Sequence, residues 1–232
     1  MLVFWDIDGT LLTTARAGIH AWEEALRDVT GVDVSLDVFD TAGIPDFGIA
    51  RRLLTELAGQ ADPDEAAVRA LVTRYEDLLP AALPRREGRV LPNVREVLTA
   101  LAAEPGAHSM LLTGNTRRGA TAKLRHYRLA EFFEGGAFSD GTIDRDGIAR
   151  LALEQARAGG RAPEASRTFV VGDTPHDVRC GRTIGARTIA VATGAYDQAA
   201  LAAAGAWQVL AELPPAADFL SVLSRSKVGA DA

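Results

Sequence analysis

The chain has 232 residues, of which 47% are hydrophobic and 24% charged, a composition typical of an ordinary globular protein. Its formal net charge of −6 argues against a general nucleic-acid-binding or membrane-binding surface, and no apolar run approaches the roughly 20 residues that span a bilayer. A single cysteine, Cys180, excludes an internal disulfide and favours a reducing, cytoplasmic location.

The first predicted element is a short buried strand that ends at Trp5 and runs into Asp6-Ile-Asp8-Gly-Thr. No basic region precedes it, so we expect a strand there and not a signal peptide. Because side chains alternate along a strand, Asp6 and Asp8 are expected to share one side while Ile7 faces the core. Two carboxylates so close together repel each other unless a cation or a proton intervenes, which indicates a hard metal ion.

The next stretch, residues 15–88, is predicted to contain helices and no strand of any strength. Apolar residues at helical spacing indicate helices over 19–29 and 47–57. A third helix is expected to begin at Asp62, with Pro63 in its first position, and to be broken by Pro80 and Pro84. We therefore interpret this stretch as a helical insert.

From Val90 onwards, short apolar strands alternate with helices, which predicts a parallel sheet covered by helices on both faces. The predicted fold is thus an α/β core domain, formed by residues 1–14 and 89–232, with an inserted α-helical domain formed by residues 15–88. The predicted core strands after the first lie at 109–112, 136–138, 168–171, 188–192 and 207–210, and the helices at 92–101, 116–128, 148–158, 177–184 and after 215.

Polar side chains follow three of these strands. The carboxyl ends of parallel strands lie along one edge of a sheet, where ligands bind, so these groups are expected to meet. The four carboxylates among them require a cation, and Mg²⁺ suits them because it takes a few carboxylates and keeps waters and phosphate oxygens. Helix capping is the alternative interpretation for Asp177. The polar groups are Asp6 with Asp8, Thr113-Gly-Asn115, and Asp173 with Asp177.

Thr113 and Lys123 are candidate ligands for an oxyanion. The helix that follows Thr113 directs backbone amides towards the same place as its hydroxyl, which suits a phosphate, although a simple N-cap turn would explain the same residues. Lys123 is one of only two lysines among 25 basic residues. Helical side chains lean towards the N-terminus, which brings its ammonium towards the strand ends, and a solvated helix lysine is the alternative.

The motifs Asp6-Ile-Asp8-Gly-Thr-Leu, Leu112-Thr113-Gly-Asn, Lys123 and Gly172-Asp173-Thr-Pro-His-Asp177 resemble those of the haloacid dehalogenase-like (HAD) superfamily. Within it, the chain is most similar to phosphoglycolate-phosphatase-like phosphatases that carry an α-helical cap. The resemblance spans nearly the whole chain. It implies a Rossmann-like core and makes residues 15–88 a mobile cap.

By this resemblance, Asp6 is the nucleophile that forms an aspartyl-phosphate, and Asp8 protonates the leaving oxygen and then activates water. Thr113 and Lys123 would hold the phosphoryl oxygens together with the loop residues Gly114 and Asn115, and Lys123 would also restrain Asp6.

The resemblance also implies a Mg²⁺ site formed by Asp6, the backbone carbonyl of Asp8, and Asp173, with Asp177 among the ligands or directly behind them. One departure is visible, because many relatives carry a lysine before the helix that leads to the Asp173 strand, where this chain has Arg145. We expect Lys123 to take that role, with Arg145 as the lesser candidate or as a partner in a structural ion pair.

The predicted activity is Mg²⁺-dependent hydrolysis of a small phosphorylated metabolite, similar to phosphoglycolate or a sugar phosphate, by a monomer or homodimer. Asp46 and Arg51 are candidate substrate-binding residues of the cap, although a turn and a solvated arginine explain them as well. The alternatives are a mutase of the β-phosphoglucomutase type and a haloacid dehalogenase. A dehalogenase needs neither a leaving-group acid nor a metal, so Asp8 and Asp173 argue against it.

Overall fold

A six-stranded sheet forms the centre of the protein in a computed structural model that describes residues 1–142, 144–161 and 163–225. Its strand order is the fifth, fourth, first, sixth, seventh and eighth strand of the chain, and every neighbouring pair is parallel. The predicted parallel α/β fold is therefore confirmed. In chain order the strands are β1 (Leu2–Trp5), β2 (Leu12–Thr13), β3 (Arg89–Val90), β4 (His108–Leu112), β5 (Gly136–Ala137), β6 (Thr168–Gly172), β7 (Arg187–Val191) and β8 (Gln208–Leu210).

The helices of the described residues cover both faces of this sheet. Alternate side chains of β1 enter two different apolar clusters: Val3 and Trp5 enter one, and Leu2 and Phe4 the other. The α-helices are α1 (Ala17–Thr30), α2 (Asp46–Arg52), α3 (Glu65–Ala82), α4 (Val94–Ala103), α5 (Arg117–His126), α6 (Arg145–Ala158), α7 (Pro175–Thr183), α8 (Gln198–Ala203) and α9 (Ala216–Ser224). Shorter turns are a π-helical one at Leu53–Leu57 and 3-10 turns at Leu83–Arg85, Ala130–Phe132 and Ala165–Arg167.

Strand β1 lies at the point where the strand order reverses direction. The chain passes from β1 to β4 and β5 on one side of it, and β6, β7 and β8 follow on the other side. In open α/β sheets, ligands bind outside the carboxyl ends of the strands at such a switch point. The residues after β1 therefore occupy the position that the fold favours for a site.

The helical insert is joined to the sheet through a small antiparallel ribbon that the sequence pattern did not indicate. Leu12 of β2 pairs with Val90 of β3, and Thr13 pairs with Arg89. Each strand has two residues, which is too short to produce a recognisable alternation. The ribbon lies beside both predicted domain boundaries, at 14/15 and 88/89.

The predicted start of the third helix of the insert and the predicted break at Pro80 were wrong, whereas the helix does end before Pro84. Asp64 is the N-cap, because its side chain accepts a hydrogen bond from the Ala67 amide, and α3 begins two residues later than expected for an Asp62 cap. At the other end, Pro80 lies inside the helix, which continues to Ala82. A proline removes one intrahelical hydrogen bond, but the buried side chains of Leu79 and Leu83 on either side keep the last turn packed.

Among the described residues, no helix is both long enough and apolar enough to cross a membrane.

Candidate active site

The residues after β1 form a tight turn that exposes Asp8 and buries Asp6. The amide of Asp6 continues the sheet by donating to the Val171 carbonyl at 3.0 Å. Ile7 is completely buried, as the alternation of the strand predicts. Gly9 takes a positive φ of 78°, a conformation that favours glycine and lets the chain turn at once.

Three carboxylates meet at the carboxyl edge of the sheet. Asp6, Asp173 and Asp177 each direct an oxygen into one region, in which these atoms lie within 4.8 Å of one another. All three residues are buried. The Asp8 carboxylate is not part of this group, so the structure brings three of the four predicted carboxylates together.

Burial makes the negative charge of this cluster costly. It is the main cause that raises the pKa of Asp6 to about 7, and the neighbouring Asp177 charge raises it further while Arg145 lowers it. Burial, followed by the charges of Asp177 and Asp6, raises the pKa of Asp173 well above its usual value. Such crowded carboxylates are stabilised by protons or by a bound cation.

Arg145, at the start of α6, neutralises one of the three carboxylates. Its guanidinium pairs with Asp177 Oδ1 and lies 4.0 Å from Asp6 Oδ1, and its side chain is 2% exposed. The other oxygen of Asp177 accepts hydrogen bonds from the amide of Thr174 at 3.1 Å and from its hydroxyl at 2.7 Å. Asp177 is thus both an ion-pair partner and part of the capping box at the start of α7, and capping was the alternative that the sequence left open for this residue.

Lys123 contacts a different aspartate from the one predicted. Its Nζ atom lies 2.5 Å from Asp8 Oδ2 and 2.5 Å from Asn115 Oδ1, and Asn115 Nδ2 donates to Asp8 at 2.8 Å. Asn115 Nδ2 also donates to the Thr113 hydroxyl at 2.9 Å. Lys123 and Asn115 therefore hold Asp8, whereas Arg145 is the cation beside Asp6.

Asp46, from the helical insert, binds the loop after β4. Its backbone amide donates to the Gly114 carbonyl at 2.8 Å, and its carboxylate accepts from the Thr116 amide at 2.7 Å. The Asp46 carboxylate thus takes a backbone donor at the beginning of α5, and it also lines the cavity described below.

Arg51 points away from the cavity. Its guanidinium donates to the Pro63 carbonyl at 2.9 Å and pairs with Glu65. It does not line the cavity, and the residues of α2 that do are Asp46 and Ile49.

A cavity of about 430 Å³ joins these groups to the insert. It is lined by Asp6, Asp8, Gly114, Asn115, Lys123, Arg145 and Asp173 on the side of the sheet, and by residues of α1, α2 and α3 on the other.

A family model described as "haloacid dehalogenase-like hydrolase" matches residues 3–182 of the chain, which include every element of this site except the turn after β7. The chain belongs to this hydrolase family. The resemblance of the sequence motifs to the HAD superfamily is thereby confirmed.

Similar proteins include enzymes that are named as phosphatases. The chain is 28% identical to "Probable phosphatase IndB" of Dickeya dadantii (strain 3937), over 98% of this chain and 97% of that protein. A "predicted phosphoglycolate phosphatase" from Haemophilus somnus 129pt has a TM-score of 0.74 at 18% identity, with 95% of this chain and 96% of that chain covered. CbbY from Rhodobacter sphaeroides has a TM-score of 0.72 at 18% identity, with 91% and 93% covered. At such identities, the two structures show a shared fold.

The sequence interpretation missed the residues that surround Asp173. The Thr10 hydroxyl donates to Asp173 Oδ1 at 3.0 Å, and Thr193 donates to the Gly9 carbonyl at 2.5 Å. A Cβ atom at Gly194 would lie 1.7 Å from Asp173 Oδ2, so only glycine fits there. A signal was present, because Thr193-Gly194 follows β7 at the same edge as the other strand ends.

The donor set of this site fits the divalent metal that the HAD family implies. Carboxylate oxygens are the ligands that Mg²⁺ prefers. Arg145 offsets one of the three clustered carboxylate charges and Lys123 offsets Asp8, which leaves two negative charges if all are ionised. The glycine at 194 provides the close fit around Asp173 that a larger residue would obstruct.

Replacing Asp46 by Asn should stabilise the protein at neutral pH more than at acidic pH. Burial is the main cause that raises the pKa of Asp46 to about 7, while the Lys123 charge lowers it. The folded state therefore binds the proton more tightly than the unfolded chain, so the wild type loses stability as pH rises from about 4 to about 7, by about 4 kcal/mol at most. Asparagine can still accept the Thr116 hydrogen bond but carries no charge.

Urea unfolding at pH 5 and pH 8 measures this effect. The stability difference between Asp46→Asn and wild type should increase with pH, whereas the exposed Asp62→Asn should show no such increase. An equal difference at both pH values would contradict a raised pKa at Asp46.

Proposed function

We propose that this protein is a Mg²⁺-dependent phosphatase that hydrolyses a small phosphate monoester through an aspartyl-phosphate on Asp6. The observation that carries the proposal is that two members of the carboxylate cluster, Asp6 and Asp173, line the same cavity as the Asp8–Lys123 pair, at the switch point of the sheet. A nucleophile and a proton donor two residues apart suit attack and leaving-group protonation on one phosphorus atom.

In the first step, a carboxylate oxygen of Asp6 forms a bond to phosphorus while the bond to the ester oxygen breaks. Asp8 gives its proton to the departing alcohol. In the second step, Asp8 takes a proton from water, whose oxygen attacks phosphorus and releases Asp6 and inorganic phosphate. Lys123 and Asn115 act as positioning residues, because both contact the Asp8 carboxylate.

The phosphoryl oxygens would lie against the Thr113 hydroxyl and the backbone of Gly114 and Asn115. Preorganised donors of this kind stabilise charge without reorganising in the transition state. Asp6, Asp173 and the backbone carbonyl of Asp8 would hold Mg²⁺, which supplies positive charge that reduces the repulsion between an anionic nucleophile and an anionic phosphate. Asp177 and Arg145 would lie directly behind these ligands.

A small phosphorylated metabolite is the expected substrate class. Structures of CbbY contain phosphate or, in a mutant protein, xylulose-1,5-bisphosphate, which supports a phosphorylated substrate for this chain. The buried Cys180 suits a reducing cytoplasm. We retain a monomer or homodimer as the expected state.

Phosphate release from a panel of phosphate esters tests this function. We expect release with Mg²⁺ and a loss of at least about 100-fold when EDTA removes the metal, because the cation stabilises the transition-state charge. Restoring Mg²⁺ should recover the activity. Release that continues in EDTA would contradict the metal assignment. Transfer of the phosphoryl group between two hydroxyl positions of a sugar monophosphate, without release of phosphate, would favour the mutase alternative.

A further inference from the structure

The walls of the cavity contributed by the sheet and by the helical insert differ in chemistry. The wall of the sheet carries carboxylates and their paired cations. The wall of the insert is formed mainly by large apolar side chains, and at about 430 Å³ the cavity lies within the usual range of about 300–1,000 Å³ for organic ligands. These side chains are Ile19, Trp22, Ile44, Ile49 and Tyr75, and the polar side chains of the same wall are Arg16, Thr41 and Asp46.

The aromatic part of this apolar wall is rigid. Trp22 of α1 and Tyr75 of α3 stack with ring centroids 3.9 Å apart and an interplanar angle of 1°. Both are almost fully buried, whereas Ile19 and Ile44 are partly exposed beside them. The apolar surface that this wall offers to the part of a substrate beyond the phosphate therefore comes mainly from Ile19 and Ile44.

The insert offers no unpaired cation to this cavity among the described residues that line it. Its charged lining residues are Arg16 and Asp46. Arg16 pairs with Asp37 at 2.7 Å, and Asp46 is negative when ionised. The other lining cations, Lys123 and Arg145, already contact carboxylates on the sheet side.

We propose that the substrate is a phosphate monoester whose alcohol part is an uncharged, largely apolar group of the size of a ring, without a second anionic group. This inference rests on the proposed phosphatase function. An apolar group that packs against Ile19 and Ile44 is removed from water, which makes the free energy of binding more favourable. A carboxylate or second phosphate in the same place would lose its hydration without finding a partner.

Three esters test whether the site prefers an apolar alcohol part or one that carries a second anionic group. Benzyl phosphate carries an apolar ring, ethyl phosphate lacks it, and 2-phosphoglycolate carries a second anion; the first two release alkyl alcohols, so their chemistry is closely matched. Binding energy from a remote apolar group raises kcat/KM. We expect kcat/KM for benzyl phosphate to exceed both other values by about 10-fold or more. A value for 2-phosphoglycolate equal to or above that for benzyl phosphate would overturn the inference.

Variants of the apolar wall test whether its side chains cause the expected preference for benzyl phosphate. Ile19→Asn and Ile44→Asn should each lower kcat/KM for benzyl phosphate by about 10-fold and leave that for ethyl phosphate nearly unchanged. Val29→Asn, on the exposed side of α1, is the matched control. Arg16→Gln should not lower activity towards 2-phosphoglycolate selectively; a selective loss would show that Arg16 leaves Asp37 to bind an anion. Because two separate positions of the wall are substituted, the inference can still be tested if one variant fails to fold.

Calorimetry with two non-hydrolysable phosphonates distinguishes failure of this inference from failure of the phosphatase function. In the presence of Mg²⁺, benzylphosphonate should bind the wild type more tightly than phosphonoacetate does. If no ester is hydrolysed but this order of binding is found, the apolar wall is supported and the activity is wrong. The reverse order of binding would contradict the inference even if phosphate release is observed.

Discussion

Asp6→Asn should reduce kcat for any hydrolysed ester by about 10⁴-fold or more, which is the usual scale for loss of a catalytic nucleophile. The amide nitrogen and oxygen of asparagine cannot form the acyl phosphate that the proposed mechanism requires. Phosphate release measured at saturating ester and Mg²⁺ checks this. The exposed Asp218→Asn, far from the site on α9, should retain wild-type activity.

The same substitution should not destabilise the fold. Because burial raises the pKa of Asp6 to about 7, an ionised carboxylate at this position opposes folding at pH 8 when no metal is bound. A neutral side chain of the same shape removes that cost, so the Tm of Asp6→Asn in EDTA should equal or exceed that of the wild type. An inactive variant with a clearly lower Tm would mean that Asp6 contributes to structure, and its loss of activity would then say little about catalysis.

Arg145→Met should destabilise the protein by about 3–5 kcal/mol, because it leaves the fully buried Asp177 carboxylate without its cationic partner. For a chain of this length, that corresponds to a decrease in Tm of roughly 10 °C. Thermal unfolding in EDTA checks this without interference from bound metal. Activity should fall as well, since Arg145 lies 4.0 Å from Asp6.

Arg179→Met is the matched control for this substitution. Arg179 pairs with Asp146 at 2.9 Å on the surface, where both side chains are partly exposed. Such pairs contribute about 0–1 kcal/mol. The double variant Arg145→Met/Asp177→Asn should recover part of the lost stability, because residue 177 then carries no buried charge that needs a cationic partner. Equal effects of Arg145→Met and Arg179→Met would contradict the assignment of a buried ion pair.

The sequence was sufficient to predict the sheet because its strands are short apolar runs that end in turn residues. The same pattern located the residues at three strand ends, and parallel pairing brings them together. It could not reveal β2 and β3, since a strand of two residues is too short to show the alternation of apolar and polar side chains. It also misjudged the end of α3, because the packing of Leu79 and Leu83 outweighs the local effect of Pro80.

The partners of the charged residues were the least predictable part of the site. Lys123 and Arg145 were both recognised as cations that could serve the site. Which carboxylate each one meets depends on where α5 and α6 pack against the sheet edge, and spacing along the chain does not contain that information. In the structure, Lys123 meets Asp8 and Arg145 meets Asp177.

The two hydrogen bonds made by Asp46 flank Asn115, which contacts the proposed catalytic acid Asp8. Asp46 binds the carbonyl of Gly114 and the amide of Thr116, and Asn115 between them holds Asp8. Docking of the insert and immobilisation of Asp8 therefore depend on one three-residue loop. If the insert were displaced from this loop, the cavity would be open to solvent and the segment that carries Asn115 would lose its support. The same movement of the insert would therefore both enclose a substrate and align its proton donor.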